Sequence, residues 1–169
     1  SSSYNNAQMC AEKIMEEEPE FKIIVVDTLS GTVGQGILLM KAVDMKKQGK
    51  TIEEIAEWLN DNKKHLIHEF TVSDLNHLYR GGRLSKASAV LGSMLNIQPI
   101  LHMDNRGGLA PIGKVRERKK ALNTLVDNIE KKSDIKTLKQ VFISHGDCIE
   151  DAKYVADKIK QQYGIEDIL

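Results

Sequence analysis

The stretch FTVSDLNHLYRGGRLSK, residues 70–86, carries the densest local information in this chain. It predicts a short strand, a tight turn and one helical turn, followed by Arg80 and Arg83 on either side of Gly81 and Gly82. Glycine allows positive φ and a close approach to a ligand, and guanidinium groups suit carboxylates and phosphates. Two interpretations stay open at this point. The segment is either an anion site on a bend, or a helix end where glycine and basic residues are expected in any case.

Hydrophobic patterning before and after this stretch predicts alternating helices and strands. A continuous apolar, β-branched run at residues 21–26, FKIIVV, predicts a buried parallel strand, and residues 68–72 predict the next strand. Thr51 and Glu54 have the spacing of a capping box and predict the start of a helix. Further helices are predicted at residues 5–18, 32–48, 116–132 and 149–163.

Residues 97–103 and 109–115 predict a hairpin, because two apolar runs are joined by the turn-forming sequence DNRGG. Another strand is predicted at residues 138–144. Together with the helices, these strands indicate an α/β protein with a boundary near residues 84–95.

Composition narrows the class of protein. The chain has 169 residues, with 24 basic and 24 acidic residues and no net charge, so nothing in it requires a nucleic-acid partner. No apolar run is long enough to span a bilayer. Cys10 and Cys148 are too few for a disulfide framework. A cytoplasmic location is therefore the default expectation.

Residues 70–86 resemble the central signature of the DegV family, F-x-V-x-D-L-x-x-L-x-x-G-G-R-[IL]-S. Other segments are similar to motifs of that family and follow in its order, so the resemblance covers essentially the whole chain. These segments are VVDTLSGTVGQG (25–36), LGSMLNIQPIL (91–101), GKVRERKKAL (113–122) and FISHGDCIEDA (142–152).

The resemblance implies a particular α/β architecture. Residues 1–85 would be the C-terminal remainder of a three-layer α/β/α domain with a parallel sheet. Residues 90–169 would form a second, two-layer α/β domain with a mixed sheet and a hairpin. Family members carry motifs before and after this region that have no counterpart here, which predicts an interior fragment.

The resemblance also implies a function. DegV-like proteins bind a long-chain fatty acid in an apolar tunnel between their domains, present its carboxylate to a separate fatty acid kinase and hold the acyl phosphate. The chain would therefore be a carrier and not an enzyme. We expect no catalytic residue, no metal and no cofactor, with the fatty acid as its ligand.

Head-group residues transfer from the family motifs by position. Ser1 matches the first serine of the family's S-G-T-Y quartet, although Ser2 and Ser3 replace the glycine and the threonine. Arg83 matches the arginine of G-G-R, and Arg116 that of K-V-R. The predicted tunnel-lining residues are Ile37, Leu38, Leu91, Leu95, Ile97 and Ile100.

Two other classes of function stay open. The first is a small-molecule phosphotransfer enzyme, although the chain has no acidic metal-binding cluster and no Walker-type lysine motif. The second is a structural fragment whose pocket is incomplete. The tempting sequence SHGDC, residues 144–148, is interpreted as structural, with Asp147 and Glu150 capping a helix.

Overall fold

A computed structural model describes residues 2–84 and 96–169. The chain divides into two compact units, Ser1–Leu66 and Ile67–Leu169. The sequence predicted this division at residues 85–90. In the structure, residues 67–84 belong to the second unit and not to the first. The assignment of the two units to domains of a longer protein stays a prediction.

The first unit contains three helices: α1 (Ser2–Glu17), α2 (Thr32–Lys47) and α3 (Ile52–Asn62), followed by a 3₁₀ turn at Lys63–His65. The predicted capping box is confirmed. The Thr51 hydroxyl accepts the Glu54 N–H, and the Glu54 carboxylate accepts the Thr51 N–H. These two hydrogen bonds pair backbone N–H groups at the start of α3 that the helix itself leaves unpaired. Leu38 and Ala56 contribute to the buried core.

The strand predicted at residues 21–26 does not form. Its backbone is not paired in a ladder, and the described residues of the first unit include no strand. A strand is defined by hydrogen bonds to a neighbour, and apolar, β-branched composition cannot supply that neighbour. The side chain of Phe21 is 56% exposed, whereas the predicted strand would have buried it.

The second unit contains a three-stranded antiparallel sheet in the order β1 (Glu69–Phe70), β2 (Ile97–Met103) and β3 (Leu109–Arg116). The predicted hairpin of β2 and β3 is confirmed. Ile100 pairs with Gly113 and Leu101 with Pro111, so Ile112 is the extra residue of a bulge.

The hairpin turn depends on Asp104. Its Oδ1 accepts the N–H groups of Arg106 and Gly108, each at 2.8 Å, and Gly107 takes the positive φ of 74° that a tight turn requires. These two hydrogen bonds, led by the one from Gly108, hold the pKa of Asp104 below its ordinary value. The hydrogen bonds of Asp104 and the positive φ of Gly107 explain why the sequence DNRGG forms the hairpin turn.

Different helices cover the two faces of the sheet. Residues opposite each other in neighbouring strands share a face, so Phe70 and Leu101 lie together. Leu101 packs against Leu75 of the short helix α4 (Leu75–Arg80) and against Leu84. We call this side of the sheet the α4 face.

The opposite side, the α5 face, is covered by helix α5 (Arg118–Lys132). Glu69 neighbours Phe70 in β1 and therefore points to this side. Its Oε2 accepts a 2.7 Å hydrogen bond from Asn128 Nδ2, and its Oε1 forms an ion pair with Lys132. Only 8% of the Glu69 side chain is exposed, so its carboxylate is buried, whereas the Lys132 side chain is 36% exposed.

The C-terminal part adds helix α6 (Ile149–Tyr163) and a parallel pair of short strands, β4 (Gln140–Val141) and β5 (Asp167–Ile168). Val126, Ile159 and Ile165 form the core of this part. The unit thus has both parallel and antiparallel pairs, in two separate sheets, and the predicted α/β fold class is confirmed.

The predicted cap of α6 is wrong. Cys148, not Asp147, is the N-cap residue, and no side chain caps this helix. Asp147 has a positive φ of 57°, and the Cys148 N–H donates to His145 Nδ1 at 3.2 Å. The turn before the helix therefore moves Asp147 out of the capping position, which sequence spacing alone does not reveal.

Candidate functional site

Gly81 and Gly82 close helix α4 with a Schellman motif. Gly82 has φ 71°, its N–H donates to the Tyr79 carbonyl, and the Arg83 N–H donates to the Leu78 carbonyl, both at 2.9 Å. The helix-end interpretation of the glycines is therefore correct for the backbone. It does not account for the side chain of Arg83.

The apolar positions of the segment fix its place on the sheet. At the helix start, the Asp74 carboxylate accepts the Asn76 N–H at 2.8 Å. The side chains that pack into one cluster on the α4 face are Phe70, Val72, Leu75, Leu78 and Leu84. The cluster places Arg83 at the surface, one residue before a buried leucine.

Arg83 is exposed, and its Nη1 donates to the Gly81 carbonyl at 2.5 Å. No carboxylate lies within ion-pair distance of this guanidinium in the part of the chain that the structure describes. The side chain is thus oriented by its own turn and keeps donors for an external anion.

Arg116 is the last residue of β3, is exposed and stands opposite Ile97. Ile97 and Leu101 are four residues apart in β2 and therefore share a face. Arg116 consequently lies on the α4 face, the same side as the segment that carries Arg83. Ile97, opposite Arg116, and Leu101, which packs against the Arg83 segment, are about 13 Å apart along β2. Arg116 and that segment therefore lie on the same side of the sheet in one unit.

Arg118, two residues further on, is engaged differently. Its Nε donates to Asp151 Oδ2 at 2.8 Å, and its Nη2 lies 3.9 Å from Cys148 Sγ. These contacts join α5 to α6 and give Arg118 a structural role. Among residues 2–84 and 96–169, Arg116 has no carboxylate partner, which separates it from Arg118.

The predicted tunnel-lining residues are distributed over both units. Ile37 and the buried Leu38 lie in α2 of the first unit. In the second unit, Ile97 is half-buried on the α4 face, whereas Ile100 is 2% exposed and points to the α5 face. Ser1, Leu91 and Leu95 lie outside the described residues.

Other kinds of site find little support in the described residues. They include no group of three histidine, cysteine or acidic side chains placed to hold a metal ion, and no helix in them has the length and apolar character needed to cross a membrane. A shallow pocket lies between α2 and α3, and no predicted site residue lines it. Its lining residues are Lys41, Asp44, Met45, Gln48, Lys50 and Trp58.

Glu69 is the buried charge that the sequence interpretation missed. The only local signal was one acidic residue in an apolar strand, HEFTV. Its hydrogen-bond partner Asn128 is 59 residues away, so no local pattern joins the two. The ion pair with Lys132 fixes β1 against α5 and so supports the sheet that carries Arg116.

We expect acid to destabilise the protein through His68. Burial lowers the pKa of His68 because the charged imidazolium loses hydration. Below about pH 6.5, the ordinary histidine value, the unfolded chain then binds more protons than the folded chain. The contribution of His68 to stability is complete above that pH and falls as the pH drops below it.

Urea denaturation at pH 7.5 and pH 5.5 measures this effect. His68→Gln should lose less stability on acidification than the unaltered protein. The exposed His77 provides the matched control, because His77→Gln should keep the original pH dependence. An identical loss in all three proteins would contradict the assignment to His68.

Comparison with known proteins gives one consistent result. The family model described as "Uncharacterised protein, DegV family" matches residues 1–169. A DegV domain-containing protein of Clostridium perfringens is 41% identical over 169 residues, which are 100% of this chain and 58% of that protein. The chain therefore spans a little over half the length of this curated relative.

Solved structures of similar proteins contain fatty acids. A DegV family protein from Eubacterium eligens loaded with heptadecanoic acid matches with a TM-score of 0.91 and 30% identity, over 100% of this chain and 60% of that chain. The Streptococcus pneumoniae Fatty Acid Kinase (Fak) B3 protein loaded with linoleic acid matches with a TM-score of 0.87 and 25% identity, over 99% and 59% of the two chains.

Proposed function

Because this chain belongs to the DegV family, whose model matches residues 1–169, we propose that it takes part in binding a long-chain fatty acid. It presents the carboxylate to a separate fatty acid kinase and holds the acyl phosphate that results. The fatty acids in the similar E. eligens and S. pneumoniae structures support the ligand, and the kinase in the name of the S. pneumoniae protein supports the partner.

The observation that carries this function is the placement of two exposed arginines on one side of the sheet. Arg83 and Arg116 both belong to the α4 face, and neither has a carboxylate partner among the described residues. A guanidinium group binds carboxylate or phosphate through parallel hydrogen bonds. The two side chains therefore suit a carboxylate that gains a phosphate, and the Ser1 hydroxyl is proposed as a further donor.

The acyl tail is bound by burial of apolar surface in a tunnel, at about 0.8 kcal/mol per methylene group. Ile97 lies on the face that carries Arg116, and Ile37, Leu38, Leu91, Leu95 and Ile100 remain further candidates for the lining. A tail held in this way leaves the carboxylate at the mouth of the tunnel, where it needs charged or polar donors.

In this function the protein is a carrier. The phosphoryl transfer belongs to the kinase, so the carrier needs to orient and protect its ligand but supplies no catalytic group, metal or cofactor. The cytoplasmic location inferred from the sequence also stays a proposal.

One observation favours a second candidate, a chain that does not close the tunnel by itself. Large apolar side chains of the first unit are exposed, among them Met9 (67%), Leu39 (64%) and Phe21 (56%). Apolar surface of this kind marks an interaction or ligand surface. A protein of these 169 residues would then fold but fail to retain lipid, whereas a longer chain of the family's length would retain it.

Alanine variants of the two arginines test the head-group assignment. Arg83→Ala and Arg116→Ala should each weaken retention of the acyl phosphate about tenfold, because each removes charge-assisted hydrogen bonds. The fatty acid, which carries less charge, should be affected less. Isotope-labelled acyl phosphate formed with kinase and ATP measures this retention.

Arg106→Ala is the matched control, because Arg106 is an exposed arginine in the hairpin turn. It should leave retention unchanged. If Arg83→Ala and Arg116→Ala both behave like Arg106→Ala, the two arginines do not bind the head group.

A further inference from the structure

The shallow pocket between α2 and α3 contains none of the residues proposed for the fatty-acid head group or the tunnel. Its volume is about 350 Å³. Both helices belong to the first unit, so the pocket is a property of that unit alone. Two large apolar side chains, Met45 and Trp58, line it together with four polar side chains: Lys41, Asp44, Gln48 and Lys50.

The connection between the two helices fixes the shape of this pocket. Helix α2 ends in a Schellman motif: Gly49 has a positive φ of 81°, and the Lys50 N–H donates to the Met45 carbonyl at 3.1 Å. Lys50 Nζ then pairs with Glu54 Oε1 at 2.7 Å, beside the capping box that starts α3. The folded helix pair therefore holds the lining residues in place before any ligand binds.

Two charged side chains of the pocket have no partner in the part of the chain that the structure describes. Lys41 and Asp44 are both exposed on α2, and neither forms an ion pair with the other or with another described residue. The Trp58 carbonyl accepts Asn62 Nδ2, but the indole N–H donates to none of the described residues. The pocket thus offers one cation, one anion and one neutral donor beside apolar side chains.

These groups define the chemistry of a ligand. Lys41 and Asp44 are three residues apart on one helix, which places their Cβ atoms about 5–6 Å apart. A ligand that carries a carboxylate and an ammonium close together can pair with both of them. Trp58 and Met45 add an aromatic ring and a polarisable thioether for an apolar group. A fatty acid has no cation and would leave Asp44 without a partner.

The size of the pocket restricts the ligand further. Small-molecule sites have volumes of about 300–1,000 Å³, so this pocket is at the lower end of that range. It suits a compact ligand with opposite charges and one apolar group. An α-amino acid with an apolar side chain has this combination of groups.

We propose that the pocket between α2 and α3 binds a free amino acid with an apolar side chain. The amino-acid carboxylate contacts Lys41, its ammonium group contacts Asp44, and its side chain packs on Trp58. This site goes beyond the proposed fatty-acid function and does not depend on it, because the two sets of residues do not overlap.

Titration with L-phenylalanine tests this site. Trp58 is the only tryptophan in the chain, so its fluorescence reports on the pocket directly. The signal should change and saturate at millimolar L-phenylalanine, because a small ligand in a shallow pocket makes few contacts. Phenylacetate lacks the ammonium group and phenethylamine lacks the carboxylate, so each should bind about three to ten times more weakly. Ligand-observed NMR measures the same affinities without relying on fluorescence.

Two alanine variants remove the charges of the pocket separately. Lys41→Ala and Asp44→Ala should each weaken binding of L-phenylalanine about three to ten times. Lys46→Ala is the matched control, because Lys46 is exposed on the same helix and does not line the pocket. It should bind with unaltered affinity. Circular dichroism checks that all three variants keep the fold.

Several results would overturn the amino-acid site. They are an absence of L-phenylalanine binding by the unaltered protein, unaltered affinity in either Lys41→Ala or Asp44→Ala, and equal weakening in Lys46→Ala. Binding of phenylacetate or phenethylamine as tightly as L-phenylalanine would also overturn it, since the ligand would then need only one of its two charges.

Discussion

Leu101→Ala is expected to lower the free energy of unfolding by about 2–5 kcal/mol. Leu101 is 0% exposed and packs against Leu75 and Leu84, which hold helix α4 and the following turn on the sheet. Truncation removes buried methyl groups and leaves a cavity between the strand and the helix. The cavity should also loosen the segment that positions Arg83.

Urea denaturation measures this loss, with Ile112→Ala as the matched control. Ile112 is the bulge residue of the neighbouring strand and is 41% exposed, so its truncation should change the free energy of unfolding by less than about 0.5 kcal/mol. Equal effects of the two substitutions would contradict the assignment of Leu101 to the centre of this cluster.

Lys132→Met is expected to lower the free energy of unfolding by about 2–3 kcal/mol. This is less than the usual cost of breaking a buried ion pair, because the Lys132 side chain is partly exposed. The substitution leaves the buried carboxylate of Glu69 with only the hydrogen bond from Asn128. It also removes a cation from the last turn of α5, where the helix dipole favours positive charge.

Two further variants isolate the effect of the buried charge. Lys131→Met removes an exposed neighbour that makes only a 3.5 Å contact to Asn128 Oδ1, and should change stability by less than about 0.5 kcal/mol. The double variant Glu69→Leu/Lys132→Met removes the charge as well as its partner and should recover much of the loss. A double variant less stable than Lys132→Met would contradict this explanation.

The described part of this stretch, residues 70–84, was predictable because its information is local. One helical turn was predicted here, with the glycine pair at a helix end as one of two interpretations, and both agree with helix α4 and the positive φ of Gly82. The same holds for the hairpin, where the turn sequence and two apolar runs determine strands β2 and β3. Such elements are determined by residues only a few positions apart.

Features that depend on distant residues were not predictable in this way. The run at residues 21–26 has the composition of a strand, but pairing requires a neighbour that the described residues of the first unit do not include. The partners of Glu69 come from a helix that begins some 50 residues later along the chain. Asp147 was placed one residue too close to its helix because a positive φ shifted the turn.

The candidate site depends both on local sequence and on residues far apart in the chain. Arg83 and Arg116 were selected by motif, and their common side follows only from the register that sets Ile97 opposite Arg116. Their function as a head-group site stays a prediction.

Mass spectrometry of lipid extracted from the purified protein, with no ligand added, tests the carrier function most directly. The extraction is made on this chain and on a longer chain of the family's full length. We expect one equivalent of long-chain fatty acid in the longer chain, and in this chain as well if its 169 residues close the tunnel. Absence of fatty acid from both proteins would contradict it.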